Sequence, residues 1–189
     1  MTLFEYLAAG YILMLSFAVL RAVSGLPHAM RYPRRYWVHV SWLSTALATC
    51  FVAFWAFWPY REVEWTLFRF MNSLAVPTLL YAYISLLVPP DPSTVESWRD
   101  YFFDVRVRAF SIGAVLMTFV AISNQSTLGV PPLHPSQLGN YAYIAIYAVG
   151  LASANPRVQV GLALAVPCFV LVYILTLMAE PDSVFRAVP

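Results

Sequence analysis

The sequence predicts an all-α protein, a polytopic bundle of about six membrane-spanning helices with an interfacial amphipathic helix before the fourth. Three observations carry that expectation. The chain of 189 residues is 61% hydrophobic and only 11% charged, where a soluble domain carries about 25% charged residues. Apolar runs of membrane-spanning length recur along it. Its arginines concentrate in alternate connections between those runs.

Residues 34–61 are the clearest stretch. They open Arg34-Arg35-Tyr36-Trp37-Val38-His39 and close Trp55-Ala56-Phe57-Trp58-Pro59-Tyr60-Arg61. Between Arg35 and Arg61 the groups that titrate near neutrality are His39 and the Cys50 thiol. A helix from Trp37 to Trp58 would rise roughly 33 Å, close to the hydrocarbon thickness of a bilayer. Aromatic residues crowd both ends, where an apolar ring with a polar edge suits the headgroup layer.

In chain order, the first span covers about 4–23. It follows the start methionine at once, without a basic leader or a small-residue cleavage site, so it reads as a retained helix. The second covers about 37–58. The third covers about 66–88 and contains Pro77. The run Pro89-Pro90-Asp91-Pro92 stops it. Ser93-Thr94-Val95-Glu96 then fits a capping box, with a hydroxyl at the N-cap and a carboxylate near the third helical position. Val95, Trp98, Phe102 and Val105 share one helical face beyond it, so 94–106 reads as the interfacial helix. That face would anchor in lipid or, through Trp98 and Phe102, dock a partner. The fourth span covers about 107–123 and the fifth about 138–154, both near the short limit. The connection 124–137 is rich in Pro, Ser and Gly and reads as irregular. The sixth span covers about 158–179 and contains Pro167. The whole chain, 1–189, forms one transmembrane domain.

Topology follows from charge. Arg21, Arg31, Arg34 and Arg35 fall at the first connection, Arg99, Arg106 and Arg108 at the third, and Arg157 at the fifth; Arg61, Arg69 and Arg186 remain for the other side. Basic residues stay cytoplasmic. Both termini are therefore expected outside. The net charge of +2 excludes a strongly basic nucleic-acid binder.

Leu74-Ala75-Val76-Pro77 recurs as Leu164-Ala165-Val166-Pro167, with Tyr83-Ile84 and Leu87 matching Tyr173-Ile174 and Leu177 in register. Two inverted three-helix halves, each ending in a proline-broken helix, would suit a small transporter or channel. The alternative is coincidence among apolar letters.

Candidate site residues are few. None of the nine acids lies near the centre of a span. Glu5, Glu64, Arg69 and Asn72 could gather at the outer mouth, or snorkel separately into the interface. His39, with Trp37 and Trp42 nearby, is a candidate for contact with a ligand or lipid headgroup; otherwise it packs in the bundle. A haem held by two histidines is disfavoured, because His28 and His134 fall on opposite sides. Cys50 and Cys168 lack metal-ligand spacing and read as packing residues, so no metal site is expected. Ser41, Thr45 and Thr49 in the second span, Ala148 and Ala152 in the fifth, and Gly161 and Ala165 in the sixth read as helix-packing seams. Phosphate loops, Cys-x-x-Cys pairs and nucleophile elbows do not occur.

Arg35-Tyr36-Trp37 followed by His39 and Trp42, Phe54-Trp55 with Trp58, Glu64-Trp65-Thr66, and Tyr101-Phe102 followed by Arg106 carry a resemblance. Over roughly 4–110 the chain resembles a diffuse group of bacterial six-helix integral membrane proteins without an assigned activity. The resemblance implies a six-helix fold in the inner membrane and carries over no functional residue. Three functions stay open. The first is a non-catalytic membrane subunit or scaffold that packs on other membrane proteins or on itself, or holds lipid, quinone, pigment or another apolar ligand. The second is a small transporter or channel. The third is an interfacial lipid-modifying enzyme using the outer carboxylates. A reporter fused after Pro189 should be active outside the cytoplasm; activity confined to the cytoplasm would reverse the topology.

Overall fold

The computed structural model describes residues 2–31 and 33–177. The last two positions expected in the sixth span, 178–179, and the charges at Glu180, Asp182 and Arg186 lie outside the described residues. Among the described residues the chain forms six α-helices and no strand. They are α1 (Leu3–Ala29), α2 (Trp37–Trp55), α3 (Leu67–Leu87), α4 (Trp98–Leu128), α5 (Pro135–Ala152) and α6 (Pro156–Leu177). All but α5 are long and apolar enough to cross a membrane. With 18 residues α5 rises about 27 Å, and polar Ser136, Gln137 and Asn140 occupy its first turns.

Local signals explain several helix ends. Thr2 and Glu5 close a capping box at α1: the Thr2 amide donates to Glu5 Oε2 at 2.7 Å, and the Glu5 amide donates to Thr2 Oγ1 at 3.2 Å. Thr66 caps α3 through the Arg69 amide. Gly129 ends α4 in the left-handed region at φ 67°, which a glycine adopts without steric cost. Pro135 then opens α5, where the missing N–H is no loss.

The helices form a ring in the order α1, α3, α4, α5, α6, α2, with α2 leaning inward to touch α3 and, more lightly, α4. Hydrogen bonds bring the first and third connections to one end. Arg21 donates to the Val88 carbonyl at 2.9 Å, and Trp98 Nε1 donates to the His28 carbonyl at 3.0 Å. Arg34 donates to the carbonyls of Ser93 and Val95 at 3.3 and 3.1 Å. In the same layer the Ser93 hydroxyl and amide both donate to Asp91 and hold its carboxyl below the usual carboxylate range.

The stretch 94–106 does not lie flat as a separate interfacial helix. Its capping box does not form: Pro92–Thr94 make a short 3₁₀ turn, and Ser97 caps α4 through the Asp100 amide. From Trp98 the helix runs unbroken to Leu128, so the fourth span is not short. Its apolar face turns inward: Trp98 and Phe102 are 1% and 0% exposed. The docking surface expected of these two side chains is therefore corrected. They pack on His39 and Tyr36 inside the fold. The exposed Arg108–Asp104 ion pair at 2.9 Å marks how far the polar layer reaches along α4.

Other boundaries shift as well. Helix α1 runs past residue 23 through Pro27 to Ala29, and α2 ends at Trp55 before a 3₁₀ turn at Trp58–Glu62. The irregular connection shrinks from 124–137 to 129–134. Helices α3 and α6 continue through Pro77 and Pro167, so neither is broken. The two halves also pack differently: α1 lies along α3, and α4 makes no comparable contact with α6. An inverted repeat requires those pairs to correspond.

Of the expected seams, Ser41 is used: its hydroxyl donates to the Ala163 carbonyl at 2.6 Å and ties α2 to α6. Ala148, Ala152, Gly161 and Ala165 face outward instead. Close approach occurs where a glycine admits an aromatic ring. A Cβ at Gly113 would lie 2.5 Å from the Tyr147 ring, while one at Gly161 would meet nothing within 4 Å. Gly113→Ala should therefore cost about 1–3 kcal/mol in thermal or denaturant unfolding in detergent. Gly161→Ala should be neutral, and equal losses in the two variants would refute this packing.

Candidate functional site

The far half of the bundle, away from the arginine-bearing end, contains a cavity of about 110 Å³. Five helices build it. Thr49, Val52 and Ala53 come from α2, Ala56 from its C-cap, and Val76 and Leu80 from α3. Leu116, Met117, Val120 and Asn124 come from α4, Asn140 and Tyr143 from α5, and Phe169, Val170 and Tyr173 from α6. No Asp, Glu, Arg or His lines it. A smaller space of about 60 Å³ adjoins it, reached by Tyr11, Tyr60 and Ser73. The two share Ala53, Ala56, Val76, Val120 and Asn124.

The cavity is graded in polarity. Leu116 and Leu80 are 1% exposed and form an apolar floor. Asn124 lies two helical turns further along α4, roughly 12 Å away. Around that level the polar groups gather. Asn72 Nδ2 donates to Ser123 Oγ at 3.2 Å, and the Tyr60 hydroxyl lies 3.4 Å from the same oxygen. Gln137 Nε2 donates to the Ala121 carbonyl at 2.9 Å, and Asn140 Nδ2 donates to Gln137 Oε1 at 2.8 Å. The Asn124 carboxamide and the Tyr173 hydroxyl make no hydrogen bond among the described residues. Tyr143, Phe169 and Tyr173 form an aromatic wall, with ring centroids 5.3 and 6.3 Å apart in succession. Tyr173 reaches its place because α5 carries Gly139 opposite it, where a Cβ would lie 2.8 Å from the ring.

A second polar cluster closes α5 at its other end. Arg106, 8% exposed, donates Nη1 to the carbonyls of Gly150, Leu151 (3.1 Å) and Ser153 (2.8 Å). Gln159, fully buried, donates Nε2 to Gly150 (3.2 Å) and Ser153 (2.7 Å). A helix C-terminus presents unpaired carbonyls and partial negative charge, so a guanidinium suits it on both counts.

The expected site residues disperse. His39 is fully buried, 4.8 Å from the Trp98 ring centroid, and belongs to the core. Trp42, 1% exposed, packs on Phe110 and Tyr147. Neither is placed to meet a lipid headgroup, and both expectations are corrected. Trp37 remains at the surface, 44% exposed. Glu5 serves the α1 cap, and Arg69 donates to the Glu64 backbone carbonyl at 2.5 Å. Asn72 belongs to the Ser123 network instead. Arg69 thus meets Glu64, while Asn72 joins Ser123 and Glu5 caps α1. Among the described residues no group of acids, cysteines or histidines could hold a metal ion.

Sequence reasoning missed Asn124, Gln137, Asn140, Gln159 and the burial of Arg106. One signal was present: each is a polar side chain in or beside an apolar run, where lipid makes an unpaired polar group costly.

No family, curated protein or solved structure matches the chain. Replacing Arg106 with Leu would leave α5 carbonyls without their charged donor, at about 1–3 kcal/mol for each acceptor left buried and unpaired. Unfolding in detergent should show that loss. A variant as stable as wild type would show that Gln159 or water replaces the guanidinium.

Proposed function

We propose that the chain is a non-catalytic integral membrane protein, of the bacterial inner membrane, that holds an apolar ligand in the cavity among α2–α6. Its arginine-bearing connections face the cytoplasm and both termini face outward. The observation that carries this reading is the cavity itself: lined by five helices, without an Asp, Glu, Arg or His, and graded from an apolar floor to an amide-bearing rim. Pockets of this kind bury apolar ligands and orient them with a few polar groups.

The transporter reading loses its motivation, since α3 and α6 run unbroken through their prolines and the halves pack differently. The lipid-enzyme reading has less support, since Glu5 is engaged in the α1 cap, and Glu180 and Asp182 lie outside the described residues. Exposed Leu13, Phe17, Leu20, Phe51 and Leu175 give the outer surface of the bundle a lipid-compatible face. The same surface suits packing on other membrane proteins or on a second copy.

Val120 borders both cavities, so Val120→Trp should fill them. Wild-type protein extracted from its native membrane in mild detergent should carry a small apolar molecule by native mass spectrometry. The variant should lose that molecule while keeping its helical circular dichroism. Wild-type protein that emerges empty, or that passes solutes across liposomes, would overturn the proposal.

A further inference from the structure

The cavity also constrains the ligand's chemistry. Its volume of about 110 Å³ is far too small for a two-chain lipid. It is smaller than the roughly 150 Å³ apolar cavity that holds benzene, so at most one small ring could enter it. With no charged side chain on its wall, a charged head would lose its hydration without a partner. The unpaired groups at the rim are the Asn124 carboxamide and the Tyr173 hydroxyl, and both can donate to an oxygen. The wall of Tyr143, Phe169 and Tyr173 offers ring faces and edges to a planar guest.

A groove adjoins the cavity at Val52. Val52 lines the cavity from inside and, on the other side, lines this groove of about 230 Å³ with Ala48, Phe51, Trp55 and Ile174. Phe51 is 60% exposed, so this groove opens on the outer surface of the bundle. Nearer the arginine-bearing end the Ser41 hydrogen bond to Ala163 holds α2 against α6. The seam between these helices is therefore fastened below and has its groove above, at Val52.

We infer that the ligand is an uncharged amphiphile with a single oxygen-bearing ring and one long aliphatic tail. The ring occupies the cavity, with its oxygen toward Asn124, and the tail leaves across Val52 between α2 and α6. This inference rests on the ligand-holding reading above and adds the class of ligand and its route.

Two probes test it on the full chain in nanodiscs: a decyl-substituted benzoquinone, and the same ring bearing methyl in place of decyl. Wild-type protein should bind the decyl probe about tenfold or more tighter than the tailless ring. Ala48→Trp, on the groove wall and outside the cavity, blocks the groove and should erase that advantage while leaving the tailless ring's affinity unchanged, which also shows that the variant folds. Phe51→Ala, on the groove wall, should weaken the decyl probe alone. Unchanged decyl binding in both variants overturns the tail route. Equally tight binding of decyl sulfate overturns the requirement for an uncharged head. Wild-type protein that binds neither ring, though it carries an apolar molecule from its native membrane, overturns the ring and leaves the ligand-holding reading intact.

Discussion

The short fifth helix is the constraint on which the rest of this structure depends. A helix C-terminus leaves carbonyls without intrahelical partners. Arg106 from α4 and Gln159 from α6 meet those carbonyls at Gly150, Leu151 and Ser153. At the other end Gln137 ties α5 to the Ala121 carbonyl of α4. Fixed at both ends, α5 holds its glycines against facing rings: Gly150 beside Phe110 and Gly139 beside Tyr173. Two large rings are thus accommodated at α5, and one of them, Tyr173, lines the cavity.

Much of the fold was legible because lipid imposes a simple code. Apolar length located the six helices, and arginine distribution grouped the connections that Arg21, Arg34 and Trp98 do bring together. The code failed where one pattern has two meanings. The stripe of Val95, Trp98, Phe102 and Val105 reads alike whether it faces lipid or the ends of α1, α2 and α3. Only the tertiary contacts of Trp98 and Phe102 decide between them. Proline misled for a related reason. Its missing hydrogen bond breaks an isolated helix but is tolerated in a packed bundle, and α1, α3 and α6 each contain one without interruption.

The site was less legible than the fold. Attention to acids and histidines selected Glu5, Glu64 and His39, which serve a cap, the surface and the core respectively. The polar residues that shape the cavity are amides and phenols. Their meaning comes from convergence of α4, α5 and α6 at one level, and no spacing along the chain encodes that. Arg106 shows the same limit. In sequence it is one of several arginines near a connection, and in the fold it is the buried donor to the end of α5.

The most direct test is an experimental density map of the protein taken from its own membrane without added ligand. An elongated feature should fill the space beside Asn124 and cross Val52 into the α2–α6 groove. A cavity holding only water, continuous from one face of the bundle to the other, would contradict it.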